Sequence, residues 1–313
     1  MTAQTAGRLA YPKALVEPVE LFPDRLYLLG DTGLIDGNYT WRDESHDGRH
    51  ESFNAYLLLS GSGAAMIETG VAMHGDTVRR QIDAVLGGAR RLTAVVGTRL
   101  EPDCFSNLPS MVDRSGGQDI DVYAPGGLNP LDFFDDLSTQ ELMKRFGVRV
   151  ILLRSGIRIE LGGEDALDVT VPSLRTLSTG WIYDPVSAAL FSSDCFSHYS
   201  TAPGENRVVG AGGGPAQPHT GEALLGFLGR HHLTKFDWLR RADVGLMIRE
   251  IEQLFNERPV RTLAPTRGCV IRGEDEVRRN VDALLGMLRA IRDQRLGNAP
   301  AEPAGPRKEA HGG

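Results

Sequence analysis

No stretch of the 313 residues approaches the roughly 20 consecutive apolar residues that a membrane-spanning helix requires. Met1 to Glu20 carry Arg8 and Lys13 but no apolar core of the kind a secretion signal needs. Cysteine is scarce. Cys104, Cys195 and Cys269 are too few and too widely spaced for a disulfide framework, which fits a reducing compartment. A cytoplasmic location with no membrane partner is therefore the expectation. Positive charge is also short: 34 Lys and Arg against 41 Asp and Glu leave a net charge of −7, which removes the basis for nucleic-acid binding. There is no visible internal repeat. The single glycine-rich run, Gly210-Ala211-Gly212-Gly213-Gly214, lacks the hydroxyl residues and following lysine of a phosphate cradle.

What is present is an alternation of strand and helix patterns from Arg25 onward. Arg25–Leu29, Phe53–Leu59 and Ala64–Ile67 read as strands ending in Gly or Ser turns. Val78, Ile82 and Val85 recur at helical spacing within His74–Leu86, and a second helix is expected around Asn107–Arg114. Ala94–Gly97, Asp121–Ala124, Val148–Leu153, Ala166–Val171, Trp181–Asp184, Ala189–Ser192 and Thr262–Ala264 supply further strands. Two amphipathic helices close the chain. Val244, Met247, Ile251 and Leu254 share a face in Phe236–Phe255, and Val277, Val281, Leu284, Leu288 and Ile291 share one in Glu274–Gln294. Glu274, Asp275 and Glu276 suit the positive N-terminus of that last helix. The expected organisation is an extension over 1–24, one α/β domain over 25–295 and a disordered tail over 296–313. Residues 201–220, with three prolines and the glycine run, read as a flexible insertion.

The segment that carries chemistry is Val95-Val96-Gly97-Thr98-Arg99-Leu100-Glu101-Pro102-Asp103-Cys104. A buried strand ends there, and Arg99, Glu101 and Asp103, spaced by two, can aim at one point beyond its carboxyl end, where α/β sheets hold ligands. A solvated strand-to-helix loop is the competing reading of the same pattern. The segment resembles the His-x-Glu-x-Asp-His loop of flavodiiron proteins, and Ser106-Asn107-Leu108-Pro109 continues that resemblance. Phe53-Asn54-Ala55-Tyr56-Leu57 and Ile67-Glu68-Thr69-Gly70 are similar to the family's early strands. Leu190-Phe191-Ser192-Ser193-Asp194-Cys195-Phe196 resembles its bridging-aspartate strand, and Leu263-Ala264-Pro265-Thr266-Arg267-Gly268 the loop that ends in a His-Gly ligand. The resemblance covers about Arg25 to Arg295. It implies a metallo-β-lactamase αββα sandwich, two mixed sheets flanked by helices, with its site at the sheet edge. Nothing in the chain resembles the family's FMN-binding flavodoxin domain.

Carried over by that resemblance, Glu101, Asp103 and Asp194 keep acidic ligand positions, whereas Arg99, Cys104 and Arg267 stand where histidines belong. The remaining histidine position falls near Arg175 or Thr176, and Glu68 replaces the usual aspartate. A diiron site needs neutral imidazoles and carboxylates, and a guanidinium stays protonated with no lone pair to give. The resemblance thus implies a metal-ligand set that has been dismantled, with no cofactor. Arginines among carboxylates can restore charge balance by ion pairing; the competing reading has Arg99 and Arg267 swinging outward.

Three functions are compatible with these residues. The first is a metal-free divergent enzyme or binding protein for an anionic or polar small molecule, with Arg99, Arg267 and Arg175 as ligand-binding candidates and Cys104, Glu101, Asp103 and His198 as catalytic ones. The second is a metal-dependent hydrolase or O2/NO-handling oxidoreductase with iron or zinc on Glu101, Asp103, Cys104 and Asp194. The third is a non-catalytic scaffold. A homodimer is what the resemblance implies. Cys104, at a ligand position, is weighed evenly between a thiolate lowered by nearby arginines and a buried apolar residue; Cys195 and Cys269 read as buried. His231 and His232 read as helix-end or surface residues, and His46, His50 and His74 as loop residues outside the site.

Overall fold

Neighbouring residues on the central strands face different cores, and this alternation builds the layers. The computed structural model describes residues 16–36, 46–61, 63–88, 90–113, 119–126, 129–134, 147–173, 179–210, 214, 217–218 and 220–297. The first sheet runs in chain order: β1 (Val19–Phe22), β2 (Leu26–Leu34), β3 (His50–Ser60), β4 (Gly63–Ile67), β5 (Arg91–Val96), β6 (Ile120–Pro125) and β7 (Val148–Leu153). It is antiparallel through β4 and parallel from β4 to β7. The second sheet has the order β12 (Val208–Val209), β14 (Val270–Arg272), β13 (Thr262–Pro265), β11 (Ala189–Ser193), β10 (Trp181–Asp184), β9 (Asp165–Thr170) and β8 (Arg158–Gly162). Parallel pairs in it are β11 with β13 and β12 with β14.

On β3, Tyr56 and Leu58 turn inward to meet Phe191 of β11 and Ala264 of β13. Ala55, Leu57 and Leu59 turn outward onto α1 (Gly75–Leu86), α2 (Pro102–Phe105) and α3 (Leu108–Asp113), through Val78, Ile82, Phe105, Leu108 and Met111. The second sheet repeats the device. Phe191 and Ala264 face the inner core, while Leu190 and Leu263 face α4 (Gly221–Lys235), α5 (Gly245–Glu257) and α6 (Glu274–Gly297). The result is the expected αββα sandwich of two mixed sheets. Tyr56 and Phe191 meet edge to face, with centroids 5.1 Å apart, at the centre of the inner core.

A buried arginine fastens one end of the sandwich. Arg25, just before β2, grips Asp184 of β10 with Nε and Nη2 at 2.9 and 2.7 Å and reaches Asp165 of β9 at 3.1 Å. Its fork matches the carboxylate, which is why the pair can be buried.

Most strand limits fall within two or three residues of the sequence expectation, and the apolar faces at 244–254 and 277–291 are buried as expected. Four differences have physical causes. The helix expected over Phe236–Phe255 begins only at Gly245, because 237–241 form a tight 3-10 turn. Helix α4 was expected only through the helix-end reading of His231 and His232, without bounds: its buried residues include both histidines beside Leu224, Phe227 and Leu228, so its apolar stripe is blurred. The extension boundary at 24 moves back, since β1 is an edge strand of the first sheet. Residues 201–220, expected as an insertion outside the core, contain buried β12, and Thr201 bridges His50; residues 211–213, 215–216 and 219, like the tail from 298, lie outside the described residues.

Gly97 follows β5, and a Cβ there would lie 2.1 Å from Cζ of Phe105. Gly97→Ala should cost about 1–3 kcal/mol by overpacking. Gly226→Ala, on α4 where a Cβ meets only Arg230 Nη1 at 3.6 Å, should instead stabilise by roughly 0.5–1 kcal/mol through helix propensity. Urea denaturation of both variants checks the opposite signs.

Candidate functional site

The carboxyl end of β5 is held in place before any side chain of the site is placed. Glu68 N–H donates to Val96 O at 2.9 Å, Gly97 N–H to Tyr123 O at 2.9 Å, and Gly180 N–H to Thr98 O at 2.6 Å. From this anchored turn, Arg99, Glu101 and Asp103 converge as their spacing predicts. Arg99 is 1% exposed. Its Nε lies 2.7 Å from Glu101 Oε2, Nη2 bonds Asp103, and Nη1 contacts Asp194 just beyond β11. The contacts to Glu101 and Asp194 are ion pairs without hydrogen-bond alignment.

Two further cations complete the cluster. Lys235, the last residue of α4, donates to Asp194 Oδ1 at 2.9 Å. Arg267, in the turn after β13, donates to Asp103 Oδ2 from Nε at 3.0 Å and Nη2 at 2.8 Å, and to Glu51 from Nη1 at 3.3 Å. Its guanidinium stacks over Phe53 at 5.2 Å. The turn is tied to β3: Asn54 Nδ2 donates to Pro265 O and Gly268 O at 2.8 Å each, and Tyr56 Oη to Pro265 O at 2.6 Å. Gly268 has φ +79° and a Cβ there would lie 2.5 Å from Ser197 O, so the turn needs glycine.

The cations decide which acids ionise. Burial opposes charge on Asp194 and Asp103, but Arg99 overcomes it, joined by Lys235 at Asp194 and by Arg267 at Asp103, and holds both below the usual carboxylate range. Burial likewise opposes charge on Arg99, and the carboxylates of Asp194, Asp103 and Glu101 keep it firmly protonated. Burial raises Glu51 and Glu101, with Asp194 adding to both, despite Arg267 and Arg99 respectively. Beneath the cluster, Glu68 accepts from Thr98 N at 2.9 Å and from the Thr98 hydroxyl. Burial pushes its carboxyl up to about 7, against the pull of Cys104, Thr98 and Arg99. Glu68 and Ser193 have φ of 60° and 56°, a strained region for residues with a Cβ, and both flank the site.

Of the expected site residues, Arg99, Glu101, Asp103, Asp194 and Arg267 come together. Arg99 is enclosed by carboxylates and presents no nitrogen to a ligand, which corrects its reading as a ligand-binding residue. His198 is not brought to the cluster: it is buried, its Nε2 lies 2.9 Å from Asn280 Oδ1 of α6, and its ring packs on Tyr199 and Phe227. His231 and His232 are buried rather than surface residues. Cys104 is fully buried with Phe105 and Leu108, 3.7 Å from Asp103 Oδ1; burial and the neighbouring Glu68 push its thiol well up, the reverse of an activated thiolate. Cys195 and Cys269 are buried, as read. Arg175 lies outside the described residues. Glu51, Lys235 and Asn54 were missed as participants; Asn54 lies within a segment already singled out, and Glu51 two residues before that segment begins. Among the described residues no three His, Cys, Asp or Glu side chains are grouped as metal ligands, and no helix is long and apolar enough to cross a membrane.

No protein-family model and no curated protein matches the chain. Solved structures do match in fold. Rubredoxin:oxygen oxidoreductase from Desulfovibrio gigas superimposes with a TM-score of 0.61 at 15% identity over 87% of this chain and 62% of that protein. A 1–254 fragment described as a diflavin flavoprotein from Nostoc sp. PCC 7120 gives 0.61 at 13% identity, over 90% of this chain and 98% of the fragment. The flavodiiron protein from Giardia intestinalis gives 0.59 at 15% identity, over 90% and 61%. The chain thus spans about six-tenths of the two full-length neighbours and has the metallo-β-lactamase fold of a flavodiiron core.

Arg99→Met should destabilise the protein by about 3–5 kcal/mol, since it strands buried carboxylates without a counter-charge; guanidinium titration measures this. Glu68 supplies a pH test. Its folded value of about 7 lies above that of a free carboxyl, so the fold binds the proton more tightly. Its contribution is present below about pH 4.5 and is lost as pH rises toward 7, on the order of 3 kcal/mol in all. Buried His232, lowered to about 4 by burial, acts in the opposite direction between pH 4 and 6.5. The informative quantity is therefore the difference between Glu68→Gln and the parent protein. That difference should grow in favour of the variant from pH 5 to pH 8; a flat difference would refute a proton on Glu68.

Proposed function

We propose that this chain is a metal-independent form of the metallo-β-lactamase fold, in which an arginine–carboxylate cluster takes the place of metal ions and a small polar, anionic molecule is the ligand. One observation carries the reading: the Arg99 guanidinium contacts Glu101, Asp103 and Asp194 simultaneously. The structural neighbours include proteins named as flavodiiron, so a two-iron centre is the group against which the donor set must be tested. It does not fit. A guanidinium stays protonated and has no lone pair to offer a cation. Asp103 and Asp194 are each engaged by two cations, Glu101 by Arg99, and Cys104 holds its proton. A dication would have to displace buried positive charge that the fold already neutralises, so no redox or hydrolytic step through a metal is derived.

The accessible edge of the cluster is formed by the side chains of Glu101 and Arg267, 31% and 18% exposed. Arg267 has its Nη1 on Glu51 only at 3.3 Å, and burial favours the neutral form of that acid, so a ligand carboxylate or phosphate can replace this contact at low cost. Glu101, the more exposed of the two, is an acceptor for a ligand hydroxyl or amine. Binding, with Arg267 as the anchor, is the function this geometry supports.

Elemental mass spectrometry of untagged protein from iron- and zinc-supplemented cells should find less than about 0.1 equivalent of any transition metal, against two for a dinuclear centre. One or two equivalents, lost on Asp103→Ala or Asp194→Ala, would overturn the reading. A ligand recovered from a screen of small carboxylates and phosphates should lose affinity in Arg267→Ala and keep it in Cys104→Ala.

A further inference from the structure

Three arginines are among the buried polar residues, Arg25, Arg99 and Arg207. The first two are enclosed by carboxylates. Arg207, 6% exposed, has none within ion-pair distance among the described residues. Its Nη1 donates to Leu29 O of β2 at 3.2 Å, while Nη2 is buried with no hydrogen-bond partner. A fold that supplies two acids to Arg25 and three to Arg99 places none on this guanidinium among the described residues. The residue is also held firmly in position: it directly precedes β12, and its carbonyl accepts from Val270 N at 2.9 Å, so the side chain reaches from the second sheet to the first.

A second buried polar atom without a partner belongs to the same edge. His74, at the start of α1, is 6% exposed and its Nδ1 makes no hydrogen bond. Its ring stands edge-on to Phe53 at 5.6 Å, and Phe53 is the cross-strand partner of Asp31, two residues beyond Leu29. Burial depresses both cations, and Asp31 offsets that for each, so Arg207, His74 and Asp31 share one electrostatic neighbourhood. Asp31 is half-buried and its Oδ1 accepts from Thr32 N at 2.7 Å, while Ala72 and Met73, which directly precede His74 in the chain, are exposed, so the turn that carries His74 lies at the surface.

We propose that Arg207 and His74 form a binding site for a small oxyanion, the carboxylate, sulfate or phosphate group of a small molecule, seated on Arg207 Nη2 and His74 Nδ1. The planar guanidinium suits such oxygens. Asp31 limits the charge that the site accepts and favours a singly charged group. The site is separate from the Arg99 cluster, with Phe53 as the shared wall between His74 and Arg267, and it does not depend on the metal-free reading.

Isothermal titration of the full chain with sodium acetate and with sodium phosphate, at pH 7 and constant ionic strength, tests the site. Saturable binding that survives Arg267→Ala is expected with at least one of them, and acetate binding identifies a carboxylate whereas phosphate alone identifies a phosphoryl or sulfuryl group. Arg207→Met should weaken it about tenfold or more, and His74→Ala by less, while exposed Arg278→Ala leaves it unchanged. If Arg207→Met does not fold, Arg207→Lys, which keeps the charge and loses the fork, takes its place with the same direction of effect. Absence of saturable binding with both anions, equal affinity in the Arg207 and His74 variants, or a crystal grown in phosphate with only a water on Nη2 would each overturn the proposal.

Discussion

One guanidinium sets the terms for the functional end of this molecule. Arg99 leaves the end of β5 in the first sheet and holds Asp194 at the end of β11 in the second, so this one side chain spans the two sheets. Glu101 and Asp103 would repel Asp194 in a dry interior without it. Its charge, shared with Lys235 and Arg267, sorts the acids. Asp103 and Asp194 ionise, whereas Glu51 and Glu68 are raised. At the opposite end, Arg25 joins the start of β2 to Asp184 and Asp165 by the same kind of contact. Between these two clamps the inner core is apolar, so the sandwich is apolar within and ionic at both ends.

The clamp depends on backbone that is costly to hold. Ser193, immediately before Asp194, and Glu68, beneath Arg99, both adopt positive φ. Each is fixed by neighbours: Ser193 O accepts from Thr266 N at 2.8 Å, and Glu68 N–H donates to Val96 O at 2.9 Å. Strained residues at one sheet end, surrounded by hydrogen bonds that over-determine them, mark where a fold has been shaped for a site. Helix α4 contributes through Lys235 at its last turn, which gives a surface-packed helix an electrostatic part in the centre.

Much of this was legible in the chain. Short continuous apolar runs such as Ala94–Gly97 and Ala189–Ser192 read as buried strands, as β5 and β11 prove to be, and the convergence of Arg99, Glu101 and Asp103 follows from their spacing. Other features left no local trace. Lys235 is one more lysine at a helix end until the fold brings Asp194 beside it. Cys104 occupies a position that the resemblance to flavodiiron proteins directs at a cavity, yet its rotation on a four-residue helix sends the thiol into the outer core with Phe105. His198 follows Asp194 by four residues, but the turn after β11 carries it to Asn280. Contacts between residues distant in sequence decided each of these, and spacing cannot report them.

Strand β3 has no side that faces water. Ten of its eleven residues are buried, with alternate side chains committed to the inner core and to the helices of the outer layer. A single-codon insertion or deletion there would exchange the two sets, sending Leu58 outward and Leu57 inward and moving Asn54 off Pro265 and Gly268. Codon gain and loss should instead be tolerated at turns where an added Cβ would meet nothing, such as those at Gly61, Gly87–Gly88 and Gly163. Divergent descendants of this gene should keep the reading length of β3 fixed even after most of its letters have changed.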